Sequence, residues 1–178
     1  MEKKTIEEVI LVTAQDEVRG TMEKIEAHVR GELHRAFSIF LFDDAGRILL
    51  QQRAATKYHS PSLWTNTCCS HPRPHEEIKV AAVRRLREEM GMAAVLEHRF
   101  AFTYQAAVGN GLVEHEYDHV LFGKATMVPA PDPSEVMQWR YASVHELSTE
   151  VEEHPERFTT WLRICWPLVK EHLQLQPA

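Results

Sequence analysis

Residues 70–92, SHPRPHEEIKVAAVRRLREEMGM, are the stretch that decides the fold. The pattern predicts a helix over residues 76–90, and Gly91 stands where a helix commonly ends in a left-handed cap. On such a helix Arg85 and Glu89, four residues apart, lie on one face, and the Arg and Glu just before them repeat the spacing. The simplest interpretation is a pair of solvent-exposed ion pairs, which contribute little to stability.

Strand signals lie on both sides of this helix. Runs of β-branched or aromatic residues bounded by turn residues predict strands over residues 9–13, 36–42, 47–52, 99–107, 113–125 and 137–142. Two more helices are predicted over residues 144–152 and 156–173. Strands before, between and after isolated helices favour an α/β (α+β) fold, in which helices sandwich a mixed β-sheet.

Length and composition narrow the class of protein. A chain of 178 residues favours a single domain, residues 1–178, and 44% hydrophobic with 26% charged residues is typical of a globular protein. The net charge is -6 and the 20 basic residues are spread along the chain, so we expect no nucleic-acid partner. The apolar run from Val9 to Val12 is too short for a signal peptide or a membrane span, so we expect a cytoplasmic protein with no membrane partner.

Three cysteines make a poor disulfide framework and fit a reducing compartment. Cys68 and Cys69 are adjacent and precede His71 by three and two residues. They raise four alternatives: a zinc knuckle, a redox pair, a buried thiol or a catalytic thiol. Structural zinc cysteines usually come as CxxC pairs, which argues against a knuckle. Cys68 is expected to be a buried thiol, and Cys165 is expected to pack in the core of the last helix.

Histidines and glutamates suggest a metal site. His28 and His34 are six residues apart and do not share a helical face, so we expect them to reach one ion from a loop or an irregular turn. Glu114 and Glu116 alternate in a predicted strand and therefore point to one face. A polar outer face would explain that strand equally well. With His71, three imidazoles and two carboxylates make a six-coordinate site with one open position, suited to Mn²⁺ or Mg²⁺ and able to accept Zn²⁺.

The spacing from Ser70 through Glu76 to RRLREEMGM resembles the Nudix box, whose glutamates bind a divalent cation on a diphosphate. The chain departs from the box at Ser70, where the box has glycine, and at Arg85, where it has glutamate. The missing carboxylate argues against plain diphosphate hydrolysis, since a guanidinium suits a diphosphate that is kept intact.

Several segments together resemble the type 1 isopentenyl-diphosphate isomerases, which use a modified Nudix fold. They are GTMEKIEAHVRGELHRAFS (20–38), QRAATKYHSPSLWTNTCCSHP (52–72), AAVRRLREEMG (81–91), VEHEY (113–117) and FTTWL (158–162). The resemblance implies a Nudix-type mixed sheet with added N-terminal and C-terminal elements. It also implies reversible isomerisation of isopentenyl diphosphate to dimethylallyl diphosphate through a tertiary carbocation, in isoprenoid precursor biosynthesis.

The resemblance further implies roles for individual residues. Catalytic roles fall on Cys69, Glu116, Tyr104 and Trp161. The first metal would be held by His28, His34, His71, Glu114 and Glu116. A Mg²⁺ on the substrate diphosphate would be held by Glu89 with the backbone carbonyl of Cys69. The diphosphate itself would be held by Lys24, Arg53, Lys57 and Arg85.

Other points of the resemblance concern the pocket wall and the partners. Where the family has a Trp-Pro-Gly run before the thiol, this chain has His-Ser-Pro-Ser at residues 59–62. The partner is expected to be a small-molecule diphosphate, and the protein a monomer or a weak dimer. The sequence also leaves two other functions open: a Nudix hydrolase of a nucleoside diphosphate derivative, and a zinc-stabilised binding module.

Overall fold

The computed structural model describes residues 7–174 of the chain. Within them, nine strands form one sheet. The strands are β1 Glu8–Val12, β2 Val18–Glu23, β3 His34–Phe42, β4 Ile48–Arg53, β5 Trp64–Thr65, β6 Cys68–Ser70, β7 Leu96–Gly109, β8 Leu112–Lys124 and β9 Val136–Ala142. The α-helices are α1 Lys24–Arg30, α2 Ile78–Met90, α3 Val144–Glu153 and α4 Thr160–Gln174.

Strand β3 lies in the middle of the sheet and organises it. It pairs in parallel with β8 over nine residues, and antiparallel with β1, β4 and β6. Strand β7 forms a long hairpin with β8, and β9 pairs with β4 on the other side. The sheet is therefore mixed, as predicted from the order of the elements.

Helices cover both faces of this sheet. Because side chains alternate along β3, Phe37 and Ile39 pack with Leu86 of α2. Phe40, on the opposite face, packs instead with Trp166 of α4. The prediction of a mixed sheet sandwiched between helices is confirmed, as is the burial of Cys165, which belongs to the second cluster.

The predicted elements agree with the structure except near their ends and in four short pieces. Helix α2 begins at Ile78, two residues later than predicted, and ends as predicted at Gly91, which has φ 62°. The helix predicted over 156–173 is wrong at its start. Residues Pro155–Arg157 form a 3-10 turn, and Phe158 is extended and pairs with Trp64 before α4 begins. Strands β2, β5 and β6 and helix α1 are absent from the prediction.

The metal-ligand candidates near the N-terminus also require a correction. His28 lies in helix α1 and His34 is the first residue of β3, so neither lies in the loop or irregular turn that the spacing suggested. Gly31, with φ 64°, ends α1 and turns the chain between them. No helix within residues 7–174 is both long enough and apolar enough to cross a bilayer.

Replacing Gly91 by alanine should destabilise the protein more than the same change at Gly46. Both glycines have positive φ, of 62° and 73°, so a side chain costs about 1–2 kcal/mol in either backbone. At Gly91 the added Cβ would also overlap the carbonyl oxygen of Ala130. Ala130 is held in place because its N–H donates a hydrogen bond to the carbonyl of Met90. Gly46, by contrast, has open space around it. Urea unfolding of the two variants measures the difference, and equal losses would contradict it.

Candidate functional site

A cavity of about 60 Å³ lies where β6, β8, α2 and α4 meet. Apart from His28 and His34, every residue predicted for the site lines it. These are Lys24, Arg53, Lys57, Cys69, His71, Arg85, Glu89, Tyr104, Glu114, Glu116 and Trp161. The fold thus brings together residues from widely separated parts of the chain, and one of the cations, Arg53, lies over the Trp161 ring at 5.1 Å.

Strand alternation decides which of the two adjacent cysteines faces the cavity. Cys68 and Cys69 lie in β6, so their side chains point to opposite faces of the sheet. Cys68 is fully buried in the cluster beneath α2. Cys69 lies instead beside Tyr104 and Trp161, and it lines the cavity. Burial raises the pKa of the Cys69 thiol above its ordinary value, and the positive charge of Arg53 opposes this only in part, so the thiol keeps its proton.

Three histidines converge with a glutamate beside the thiol. Nε2 of His71 lies 3.2 Å from Nε2 of His34 and 2.9 Å from Oε1 of Glu116. The third side of this triangle, from His34 to Glu116, is 3.6 Å. Ligands about 2.1 Å from one ion lie roughly 3.0–3.4 Å apart, so the triangle has the size of a metal coordination shell.

His28 completes this group. Its Nδ1 lies 2.6 Å from the carbonyl of Lys24, and its Nε2 has no hydrogen-bond partner within residues 7–174 although it is buried. Its ring centroid is 4.9 Å from that of His34. Four side chains each offer one ligand atom, and these atoms all lie within 4.8 Å of one another, so the group fits a divalent metal ion. The four residues are His28, His34, His71 and Glu116. Burial lowers the pKa of His71 to about 3, which leaves its lone pair available.

The two carboxylates of β8 point to one face, as predicted, and share one tyrosine. Tyr104 lies opposite Glu116 across the β7–β8 hairpin and donates to Oε2 of Glu116 at 2.7 Å. The same hydroxyl lies 3.0 Å from Oε2 of Glu114, which stands outside the four-residue metal group. Burial opposes ionisation of Glu116, but hydrogen bonds to His34 and His71 outweigh it and hold its pKa well below the usual range.

Glu114 behaves in the opposite way. Burial, together with the negative charge of Glu116, raises its pKa well above the usual value. The two neighbouring carboxyl groups therefore differ in proton affinity, and Glu114 holds a proton more tightly than Glu116. The face of β8 that lines the cavity is thus not a solvated outer face, which was the simpler interpretation of the alternating sequence.

Of the two ion pairs that the simplest interpretation expected to be exposed, Arg84 does pair with exposed Glu88. The other pair, Arg85 and Glu89, is instead largely shielded from solvent and lines the cavity. Arg85 donates to Glu89, whose exposure is only 5%. Gln51 donates from Nε2 to the other oxygen of Glu89 at 3.0 Å. The carboxylate is therefore fixed in direction by two donors, and it lines the same cavity as Cys69.

The sequence interpretation did not assign three residues of the cavity wall to the site: Tyr58, His59 and Ser70. His59 begins the segment that replaces the family's Trp-Pro-Gly run, and Tyr58 immediately precedes it. The His59 ring is 6% exposed, packs edge-on against Trp161 at 5.8 Å and brings its Nε2 to 3.8 Å from Oε1 of Glu114. Arg53 holds this segment by donating to the carbonyls of His59 and Ser60. The departure from the family's run was the signal that could have marked it.

Comparison with known proteins agrees with this architecture. The model of the NUDIX domain matches residues 32–162. Isopentenyl-diphosphate Delta-isomerase 1 of Aromatoleum aromaticum is 50% identical over 159 residues, covering 89% of this chain and 90% of that protein. The isopentenyl-diphosphate Delta-isomerase of Pectobacterium atrosepticum is 47% identical over 167 residues, covering 94% and 93%. The chain belongs to the isopentenyl-diphosphate Delta-isomerase family, as the resemblance in its motifs indicated.

Solved structures place this isomerase family member on the Nudix fold. DR0079 from Deinococcus radiodurans has a TM-score of 0.73 at 16% identity, covering 90% of this chain and 98% of that one. A MutT NUDIX hydrolase from Burkholderia pseudomallei has a TM-score of 0.60 at 20% identity, covering 76% and 96%. At these identities the likeness is one of fold alone.

Adding Mn²⁺ should raise the melting temperature of the metal-free protein, and His71→Gln should abolish most of the rise. An ion that binds only the folded state stabilises it by about 2.7 kcal/mol at a hundredfold excess over its dissociation constant. His145→Gln is the matched control, because His145 is exposed in α3 and outside the metal group. Thermal melts with and without metal test this, and an equal rise in all three proteins would contradict the site.

Proposed function

We propose that the chain catalyses the reversible isomerisation of isopentenyl diphosphate to dimethylallyl diphosphate. The observation that carries the proposal is that a thiol, Cys69, and a carboxylate, Glu116, line one cavity whose remaining wall includes Trp161. The name and full-length similarity of the relatives support the same reaction. The reaction adds a proton at one end of a three-carbon unit and removes one from the other end, so it needs two proton-transfer groups on one substrate.

The apolar end of the cavity suits the tertiary carbocation of this reaction. Water would capture such a cation, so the reacting carbons must be held away from solvent. Tyr104, Trp161, Val108 and Leu112 form one buried cluster, and Cys69 packs against it. The Trp161 ring stabilises a nearby cation by about 2 kcal/mol when the pair is desolvated, or roughly 30-fold in rate. The proton-transfer groups must therefore supply most of the acceleration.

Cys69 and Glu116 transfer the protons, and Tyr104 orients the carboxyl. The thiol holds a proton in its buried environment, while Glu116 is ionised by its histidine neighbours. Tyr104 donates to the Glu116 oxygen that does not face His71 and so fixes the plane of the carboxyl. These contacts leave Glu116 with a defined orientation at the cavity wall.

The metal that these residues would hold is Mn²⁺ or Mg²⁺, with Zn²⁺ as a further candidate. Its ligands would be His28, His34, His71, Glu114 and Glu116. When bound there, such an ion makes an attached carboxyl a stronger acid. Protonated Glu114 would need to give up its proton to join the shell.

The diphosphate is held by the four cations of the cavity, Lys24, Arg53, Lys57 and Arg85, of which Arg53 also lies over the Trp161 ring. Glu89, with the backbone carbonyl of Cys69, would hold the Mg²⁺ that accompanies the diphosphate. Arg85 occupies the position where the Nudix box has a glutamate, so the site carries a fixed cation in place of one metal-binding carboxylate. That exchange favours retention of the diphosphate over hydrolysis.

We place the protein in the cytoplasm as a monomer or weak dimer that acts on a small diphosphate, without nucleic-acid or membrane partners.

Cys69→Ala and Glu116→Gln should each lower the turnover of isopentenyl diphosphate by at least about 10³-fold, because each removes a proton-transfer group. Cys68→Ser is the matched control. It alters the neighbouring thiol, which faces α2, and should leave kcat within about tenfold of the unchanged protein. Conversion of labelled isopentenyl diphosphate to its allylic isomer, with Mg²⁺ present, measures all three. Near-normal turnover in either of the first two variants would refute these roles.

A further inference from the structure

We propose that Glu135 is a positioning residue of the diphosphate end, which holds Lys57 and Arg85 side by side so that one diphosphate meets both. The inference rests on the diphosphate-binding roles proposed above for those two cations. Glu135 lies outside the segments that resemble the isomerase family, in the turn just before β9. It does not line the cavity itself and acts through the two cations that do.

The side chain of Glu135 bridges the two cations directly. Its Oε2 accepts a hydrogen bond from Nζ of Lys57, and its Oε1 lies 3.5 Å from Nη2 of Arg85. The side chain is 23% exposed, so the contacts are partly shielded from water. Burial opposes ionisation of the carboxyl, but the hydrogen bond and charge of Lys57 outweigh it and lower its pKa. One carboxylate thus brings together cations from two separate parts of the chain.

Backbone hydrogen bonds around Glu135 also connect the segment that carries Lys57 to helix α2, which carries Arg85. The carbonyl of Glu135 accepts from the N–H of Ala54, and the carbonyl of Ala54 accepts from the N–H of Lys57. On the other side, the N–H of Asp132 donates to the carbonyl of Glu89 at 3.0 Å, and the N–H of Glu135 donates to the carbonyl of Asp132. Residues 132–135 therefore tie the end of α2 to the turn that carries Lys57.

Electrostatics explains why a carboxylate is needed at this point. Lys57 and Arg85 repel each other when they are drawn to one anion site, and a shared negative charge between them offsets that repulsion. Arg85 also bonds to Glu89, but Glu89 is the proposed ligand of the Mg²⁺ on the diphosphate. Arg85 also donates from Nη1 to Glu88 at 2.8 Å, but within residues 7–174 Glu135 is the carboxylate that contacts both cations. When Glu89 turns to the metal, Glu135 therefore keeps the guanidinium beside Lys57. A substrate therefore meets a preformed pair of cations and does not have to order them.

Glu135→Gln should raise the KM for isopentenyl diphosphate about tenfold, the effect of losing one charge-assisted hydrogen bond, while kcat changes by less than about threefold. The inhibition constant of inorganic pyrophosphate should rise in parallel, since it reports the same end of the site. Glu150→Gln is the matched control. Glu150 is 26% exposed and pairs with Arg140 and Arg157, none of which lines the cavity. Its KM and pyrophosphate constant should not change.

Two further variants separate a positioning role from a merely structural one. Glu135→Asp keeps the charge and should recover part of the lost affinity. In a Lys57→Met background, Glu135→Gln should have a smaller effect than in the unchanged protein, because it acts through Lys57. Melting curves of each variant check that the fold persists.

The results distinguish a failure of the proposed diphosphate site from a failure of the positioning role proposed for Glu135. If Lys57→Met and Arg85→Met both leave KM and pyrophosphate inhibition unchanged, the diphosphate site itself is misassigned, and the inference falls with it. If these variants weaken binding but Glu135→Gln leaves it unchanged or tightens it, the diphosphate site stands and the positioning role is refuted. An equal effect of Glu135→Gln with and without Lys57 also refutes it.

Discussion

The register of strand β3 is the constraint on which the site depends. Its parallel pairing with β8 sets His34 opposite Glu116, and its antiparallel pairing with β6 sets Ser38 opposite Cys69. Since residues directly opposite each other share a face of the sheet, the thiol, an imidazole and a carboxylate come to the same face. A slip of one residue in either pairing would turn these groups into the core beneath α2. The packing of apolar side chains on both faces of the sheet fixes this register, and the register in turn places the site residues.

Burial makes that arrangement costly and so determines its contacts. An ionised carboxylate taken out of water must be paired or hydrogen-bonded. Glu116 meets this demand through His71 and Tyr104, and the pKa of Glu114 is raised because burial and the charge of Glu116 both oppose a second negative charge. At the other end, Glu89 is held by Arg85 and Gln51. The polar side chains of the cavity are thus oriented before any ligand enters, which lowers the cost of binding.

The sequence predicted the parts of the fold that have a strong period. The long apolar strands, the capped helix ending at Gly91 and the alternation of Glu114 with Glu116 follow from local spacing. Helix α1, with seven residues, and strands β5 and β6, with two and three, are too short to leave a periodic signal, and they form because the rest of the fold supports them. The break in the last predicted helix has the same origin, a pairing of Phe158 with distant Trp64.

Prediction of the site divided along similar lines. Cavity residues such as Cys69 and Trp161 were found through motifs shared with a family, and their local spacing alone left four interpretations of the cysteine pair open. Glu135 carries no motif, and its position follows from hydrogen bonds between a loop, a helix end and a turn that are far apart in the sequence.

Arg85 links the fold to the proposed chemistry, because it stands where the Nudix box has a glutamate. A glutamate at this point of α2 would add a negative charge beside Glu89, and the two carboxylates would together attract metal ions. The arginine instead neutralises Glu89 in the ligand-free site and makes further contacts with Glu88 and Glu135. On the proposed function, the reversed charge on this helix provides a planar donor for a diphosphate that is to be kept intact. The proton transfers are then assigned to Cys69 and Glu116, which the sheet has placed in the same cavity.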